Sequence, residues 1–235
     1  MKNIPELIEN VRKNNVKIII NNGIDVKTNR MTLELSKKYP EGKCALGIYP
    51  IEALKLREGE IEKEINFIKE NKEKIIAIGE VGIDLKWSQE LEKQKEIFQK
   101  FIDLAMELDK PLIVHARGAE KEIIKILKKN RCKKVQMHCF SGDMNLVRKI
   151  IMKGWFLSIP ANIVFSEHFQ NVVKNVPIEN LLCETDSPYL HPIKGKKDNE
   201  PANVIESYKK IAEIKGLDLK EVEKKIEENF NRLFG

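Results

Sequence analysis

The sequence has no long apolar run. No window approaches the roughly 18 apolar residues that a membrane-crossing helix needs, and the opening ten residues already carry Glu6 and Glu9, unlike a signal peptide. The expected setting is therefore the cytoplasm, with no membrane partner. Cysteine is scarce as well: Cys44, Cys132, Cys139 and Cys183 form no C-x-x-C pair, which argues against a zinc ribbon or a disulfide framework and for reduced thiols. There are only 4 histidines, so where each one falls carries weight. No low-complexity linker or composition break divides the chain, and a single domain over residues 1–235 is expected.

Charged residues, by contrast, are abundant. At 33% of the chain beside a 42% hydrophobic set, they describe a globular protein with a strongly ionic surface. The bias towards Lys, Glu and Ile is the one met in hyperthermophile surfaces, and also in AT-rich genomes. The net charge of +6 suits a phosphate-bearing substrate but falls short of a dedicated nucleic-acid coat.

Short β-branched runs alternate with longer segments of helical period, the pattern of repeated β-α units with parallel strands. Seven runs read as strands: 17–20, 45–48, 75–78, 112–114, 135–137, 156–159 and 181–183. Helical period marks 61–70, 91–108, 120–128 and 145–153 among the segments between them. Residues 4–14 also have helical period and lead into the first run as though they followed an earlier strand. A closed barrel of such units uses eight strands. The expected fold is accordingly α/β, a TIM (β/α) barrel lacking its first β-strand.

In that architecture the active site is built at the carboxyl ends of the strands. Glu80 follows the third run in AIGEVGID, His115 the fourth in IVHAR, His138 the fifth in MHCFSG, and Glu184 and Asp186 the seventh in CETDSPYL. Imidazoles and carboxylates converging on one face are the ligands of a divalent ion that activates water. Taken singly, either histidine reads as a structural residue. Two of the four ending buried strands favour a metal site. Glu184 lies two residues before Asp186 and reads equally as a supporting carboxylate, so it is left outside the ligand set. Arg117, Lys194, Lys196 and Lys197 are candidates for binding substrate phosphate. Trp87 is read two ways, as a platform for a base or as packing at the barrel mouth.

GEVGIDLKW, PLIVHARGA, HCFSGD, ETDSPYLHP and NEPANV, in this order and over almost the whole chain, resemble the successive blocks of the TatD family of metal-dependent deoxyribonucleases. The resemblance implies a barrel with two divalent ions, Mg, Mn or Zn not distinguished, and hydrolysis of DNA phosphodiesters by metal-activated water. It implies Glu80 as a bridging carboxylate, His115 and His138 as ligands of one ion, and Asp186 as a ligand that also orients or deprotonates the water. Glu80 and Asp186 are thus the expected catalytic residues, and DNA the expected partner, with the oligomeric state left open. The alternatives are a related hydrolase acting on another ester or an amide, and a catalytically impaired barrel kept for binding.

The sequence departs from the family at its beginning. The H-x-H pair that ends the family's first strand and holds the other ion is absent from the chain. One missing segment accounts for both that loss and the count of seven runs. A start codon placed too late is favoured over a shortened protein or a strand supplied by a partner, and two-metal chemistry is expected to be strongly reduced if the segment is truly lost. In GIYP, Tyr49 stands where the family usually has His. His168 and His191 are read as surface or supporting residues.

Overall fold

The structure, a computed structural model, describes residues 3–235. In chain order the elements are α1 (Ile4–Lys13), β1 (Ile19–Asn22), α2 (Val26–Lys38), β2 (Gly42–Leu46), α3 (Pro50–Leu54), α4 (Glu60–Glu70), β3 (Ile75–Asp84), α5 (Leu91–Glu107), β4 (Leu112–Arg117), α6 (Glu120–Lys129), β5 (Val135–His138), α7 (Met144–Ile151), β6 (Phe156–Pro160), α8 (Glu167–Asn175), β7 (Leu181–Glu184), α9 (Ile205–Lys215) and α10 (Leu219–Phe234). Seven strands are present among the described residues, and each falls on one of the seven apolar runs. The chain groups into two compact units. One holds the residues up to Ile19 with Asp143–Leu233 and Gly235; the other holds Ile20–Gly142 with Phe234.

In the second unit β1 to β5 lie side by side in chain order. β2 with β3, β3 with β4 and β4 with β5 pair in parallel. Parallel strands need covered faces, and the intervening helices supply the cover. On α5 the residues Phe98, Phe101, Ile102 and Ala105 recur at helical spacing and are all buried. α2 starts at a reciprocal cap in which the Asp25 carboxylate accepts from the Thr28 amide and the Thr28 hydroxyl accepts from the Asp25 amide.

The strand bounds depart from the apolar runs that announced them: β2 covers Gly42–Leu46 where the run is 45–48, β4 extends beyond 114 to Arg117, and for β1 and β3 the cause can be traced. β1 begins at Ile19 and not at Lys17, because Lys17 and Ile18 are exposed while Ile20 packs against Ala45, Ala77 and Ile113. It ends on two asparagines, the first of which donates to Thr32 of α2 at 2.8 Å. β3 runs six residues beyond Ile78, through Glu80 to Asp84. Its register against β4 shifts between Ile78 and Val81, then continues to pair Gly82 with His115 and Asp84 with Arg117. Gly82 sits at φ 150, and a Cβ there would lie 1.9 Å from the His115 carbonyl oxygen, so only glycine allows this approach of the strands.

In the first unit β6 and β7 pair in parallel, with Leu157 opposite Leu181 and Pro160 opposite Glu184. Trp155 is fully buried just before β6. The Asn229 side chain of α10 donates to the carbonyls of Ile178 and Leu181 at 2.7 and 2.8 Å, fixing the start of β7.

Candidate metal centre

Three of the residues expected at strand ends come together in the second unit. Glu80 lies within β3, His115 within β4 and His138 at the end of β5, and the backbone pairing sets His115 directly opposite His138. His115 Nδ1 is 2.7 Å from Glu80 Oε1, and His138 Nε2 is 4.0 Å from the same oxygen. Their side chains are only 10–15% exposed. Burial by itself would raise the Glu80 carboxyl. The charge of His138 and the hydrogen bond of His115 outweigh it, and Glu80 lies below the ordinary carboxylate range.

A fourth residue belongs to the cluster and was not picked out as a site residue from the sequence. Asp84, at the end of β3 and fully buried, places Oδ2 3.0 Å from His115 Nε2. The Tyr49 hydroxyl donates to the same oxygen at 2.5 Å, and the Tyr49 ring meets the His115 ring edge-on at 5.0 Å. Asp84 Oδ1 accepts from the amides of Lys86 and Trp87, at 2.8 and 3.2 Å. Its backbone is clasped by Gln94 of α5, which donates to the carbonyl at 3.1 Å and accepts from the amide at 2.7 Å. Burial would raise this carboxyl too, but the hydrogen bonds from His115 and Tyr49 hold it down at about 2. For His115 burial acts downward, the bonds to Asp84 and Glu80 act upward, and the net shift is upward. Tyr49 is raised by burial and then by its bond to Asp84, so it stays a protonated donor.

Tyr49 owes its place to the end of β2. Buried Asn29 on α2 donates to the Gly47 carbonyl at 3.0 Å, accepts from the Gly47 amide at 3.3 Å, and donates to buried Glu64 at 2.7 Å. Arg30 completes this group with a short contact to Glu64. The Tyr49 amide then donates to the Ile24 carbonyl at 2.9 Å.

The chemistry of the cluster fits a divalent ion. A carboxylate oxygen and two imidazole nitrogens face one another, and one imidazole is backed on its far nitrogen by a carboxylate, the usual support of a metal-binding histidine. Among the described residues no three such side chains are already spread around a common centre. Glu80 and His115 contact each other directly, so the set holds the donors needed for an ion without the spacing of a loaded site.

Asp186, Glu184 and the three lysines belong to the first unit. Asp186 follows β7 in a left-handed conformation at φ 54. Glu184, at the end of β7, accepts a short hydrogen bond from Ser158 of β6. Lys194, Lys196 and Lys197 are exposed; Lys196 and Lys197 line an open groove with Val164, His191, Ile193 and Glu206. His191 is only 8% exposed, and its Nδ1 accepts from the Ile193 amide at 2.9 Å, so it shapes its own loop and is not a surface residue. His168 packs edge-on against Phe169. Arg117 stays in the second unit, exposed, two residues beyond His115 on β4.

Comparison with known proteins adds a family. A family model described as "TatD related DNase" matches residues 1–235. An uncharacterized metal-dependent hydrolase, MJ1582 of Methanocaldococcus jannaschii, is 42% identical over 233 residues, covering 99% of this chain and 91% of its own. YabD of Bacillus subtilis, with the same description, is 34% identical over 240 residues, 98% and 92% of the two chains. Human TATDN3, named a deoxyribonuclease, is 29% identical over 245 residues, 99% and 89%. Among solved structures, the TatD homologue YJJV of Escherichia coli superposes with a TM-score of 0.91 at 22% identity, over 98% of this chain and 91% of its own. A TatD-family hydrolase from Entamoeba histolytica gives 0.86 at 24%, over 97% and 88%. These likenesses fix the fold class as α/β of the TIM (β/α)-barrel type, here with seven strands among the described residues.

Proposed function

The chain belongs to the TatD-related DNase family of metal-dependent hydrolases, and from that premise we propose that it hydrolyses phosphodiester bonds of DNA, as one catalytic domain over residues 1–235. The observation that carries the reading is that His115 Nδ1 and His138 Nε2 lie 2.7 and 4.0 Å from the same Glu80 oxygen, with His115 backed by Asp84. A divalent cation on those atoms supplies a Lewis acid that makes water nucleophilic at neutral pH. Glu80, His115 and His138 hold the cation. Asp84 keeps the His115 ring turned so that Nδ1 faces Glu80. Asp186 is proposed as a further ligand that takes the proton of the attacking water, and Arg117, Lys194, Lys196 and Lys197 as the cations that hold substrate phosphate. The name of human TATDN3 supports DNA as the substrate. With no H-x-H in the sequence, the donor set is proposed to serve one tightly held ion.

The test is metal analysis together with cleavage of an end-labelled single-stranded oligodeoxynucleotide, with Mg, Mn and Zn added separately. Model phosphodiesters and cyclic amides are assayed alongside. One tightly bound ion is expected, with cleavage lowered at least about 100-fold in Glu80→Gln and Asp186→Asn, more than the loss of a supporting residue costs. Turnover of an amide or lactone with intact DNA would overturn the substrate. Two tightly bound ions would overturn the one-ion ligand set.

A further inference from the structure

The rim of the second unit carries an aromatic side chain and two cations that the centre itself does not use. Trp87, in the loop after β3, is 65% exposed, although a tryptophan of a folded domain is normally well buried. Lys86 Nζ stands 5.2 Å from the centre of its ring. The loop is nevertheless firmly held, because the amides of both residues donate to Asp84 Oδ1. The adjoining turn after β4 is locked to it. The Leu85 amide donates to the Arg117 carbonyl at 2.8 Å, and Gly118, at φ 69, passes so close that a Cβ would lie 3.3 Å from Leu85.

Arg117 is the second cation. Side chains alternate along a strand, so Arg117 shares the face of β4 that carries His115. The strand register also sets Arg117 opposite Asp84 of β3. Many lysines of this chain pair with a glutamate three residues away, as Lys37 does with Glu34 and Lys55 with Glu52. Among the described residues the Arg117 guanidinium has no hydrogen bond and no ion pair, and Lys86 has only the ring of Trp87. An exposed ring on a fixed loop, with one cation at the ring and a second on the strand to which that loop's start is hydrogen-bonded, neither holding a carboxylate, is the complement of a flat aromatic group joined to an anion.

We propose that Trp87, Lys86 and Arg117 form a nucleotide subsite, in which one unstacked base lies on the Trp87 ring and the adjoining phosphate is bound by Arg117. The proposal rests on the DNA reading above and deepens it. Stacking on Trp87 requires the base to leave its neighbours, so the subsite takes single-stranded or frayed ends and discriminates little among the four bases. Lys86 neutralises phosphate without fixing its direction, whereas the planar guanidinium of Arg117 grips it in a defined orientation.

The test is made in EDTA, so that binding is read without turnover. The chain has 2 tryptophans, and the other, Trp155, is 0% exposed, so quenching of emission by a single-stranded oligothymidylate reports Trp87. Saturable quenching is expected. Anisotropy of a labelled oligonucleotide should show Trp87→Ala binding about 5- to 100-fold more weakly, with Trp87→Phe close to wild type. Arg117→Gln should weaken binding and lower the slope of log affinity against log salt by about one. Absence of quenching, or wild-type affinity in Trp87→Ala, overturns the subsite even if the protein cleaves DNA. If instead no cation supports DNA cleavage while Trp87 is quenched and its alanine variant binds poorly, the nuclease reading falls and the subsite stands. Unchanged melting temperatures in the three variants are the control for folding, and the exposure of both side chains makes that the expected result.

Discussion

At the scale of single residues, the centre depends on one tyrosine hydroxyl. Tyr49 and His115 share Asp84 Oδ2 as acceptor, so losing the hydroxyl leaves the fully buried carboxylate one donor short. Tyr49→Phe keeps the ring against His115 and removes only that bond. Loss of a residue supporting a metal ligand typically costs 10- to 100-fold in metal affinity. Calorimetric titration with Zn should therefore show a loss of about that size, and unchanged affinity would remove Tyr49 from the centre. Cys44 offers a different test. It is 1% exposed, and burial pushes its thiol up to about 12, so below that pH it remains a protonated thiol. Mass mapping after thiol labelling at pH 8 should find Cys44 unmodified in the native protein and modified in denaturant. Sequence reasoning reached Glu80, His115 and His138 because each is a metal-type residue next to an apolar run. Asp84 escaped it because it lies six residues beyond the end of the apolar run at Ile78, and β3 continues to it through Glu80 and two glycines.

At the scale of elements, the seven apolar runs located the strands because buried parallel strands are apolar on both faces. Their ends were harder to place. β1 finishes on Asn21 and Asn22, and β3 passes through Glu80 and Gly82, so a rule that stops at the first polar residue cuts both short. Partners from distant elements decide those ends: Thr32 for Asn21, and the His115 backbone for Gly82. The same holds for Asn29, a helical residue with no local sign of importance, whose side chain clips both backbone groups of Gly47. Asn29→Ala would leave the Gly47 backbone groups and Glu64 buried without that partner. Such a loss is expected to cost about 2–3 kcal/mol and to lower Tm by roughly 5–10 °C. Thermal unfolding checks this, and a change below about 1 °C would show that the site repacks without penalty.

At the scale of the whole molecule, the many Lys–Glu pairs contribute less than their number suggests. Pairs such as Lys37–Glu34 and Lys209–Glu206 are exposed, and pairs of that kind are each worth little in water and are screened by salt. A bound cation should act on stability more strongly. At 100 times its Kd it adds about 2.7 kcal/mol, which for a chain of this size raises Tm by roughly 5–10 °C. Scanning calorimetry with and without Zn should show that rise in the wild type and not in Glu80→Gln. An equal rise in both would place the cation elsewhere.

Asp84 serves two parts of the second unit at once. One oxygen steadies His115 and the other fastens the Lys86–Trp87 loop. For protein engineering this divides the molecule into a hub and an editable margin. A library built to test the proposed subsite can vary residues 86, 87 and 117 while the hub stays intact. A library that varies residue 84 disturbs the support of His115 and the anchoring of the Lys86–Trp87 loop in one step.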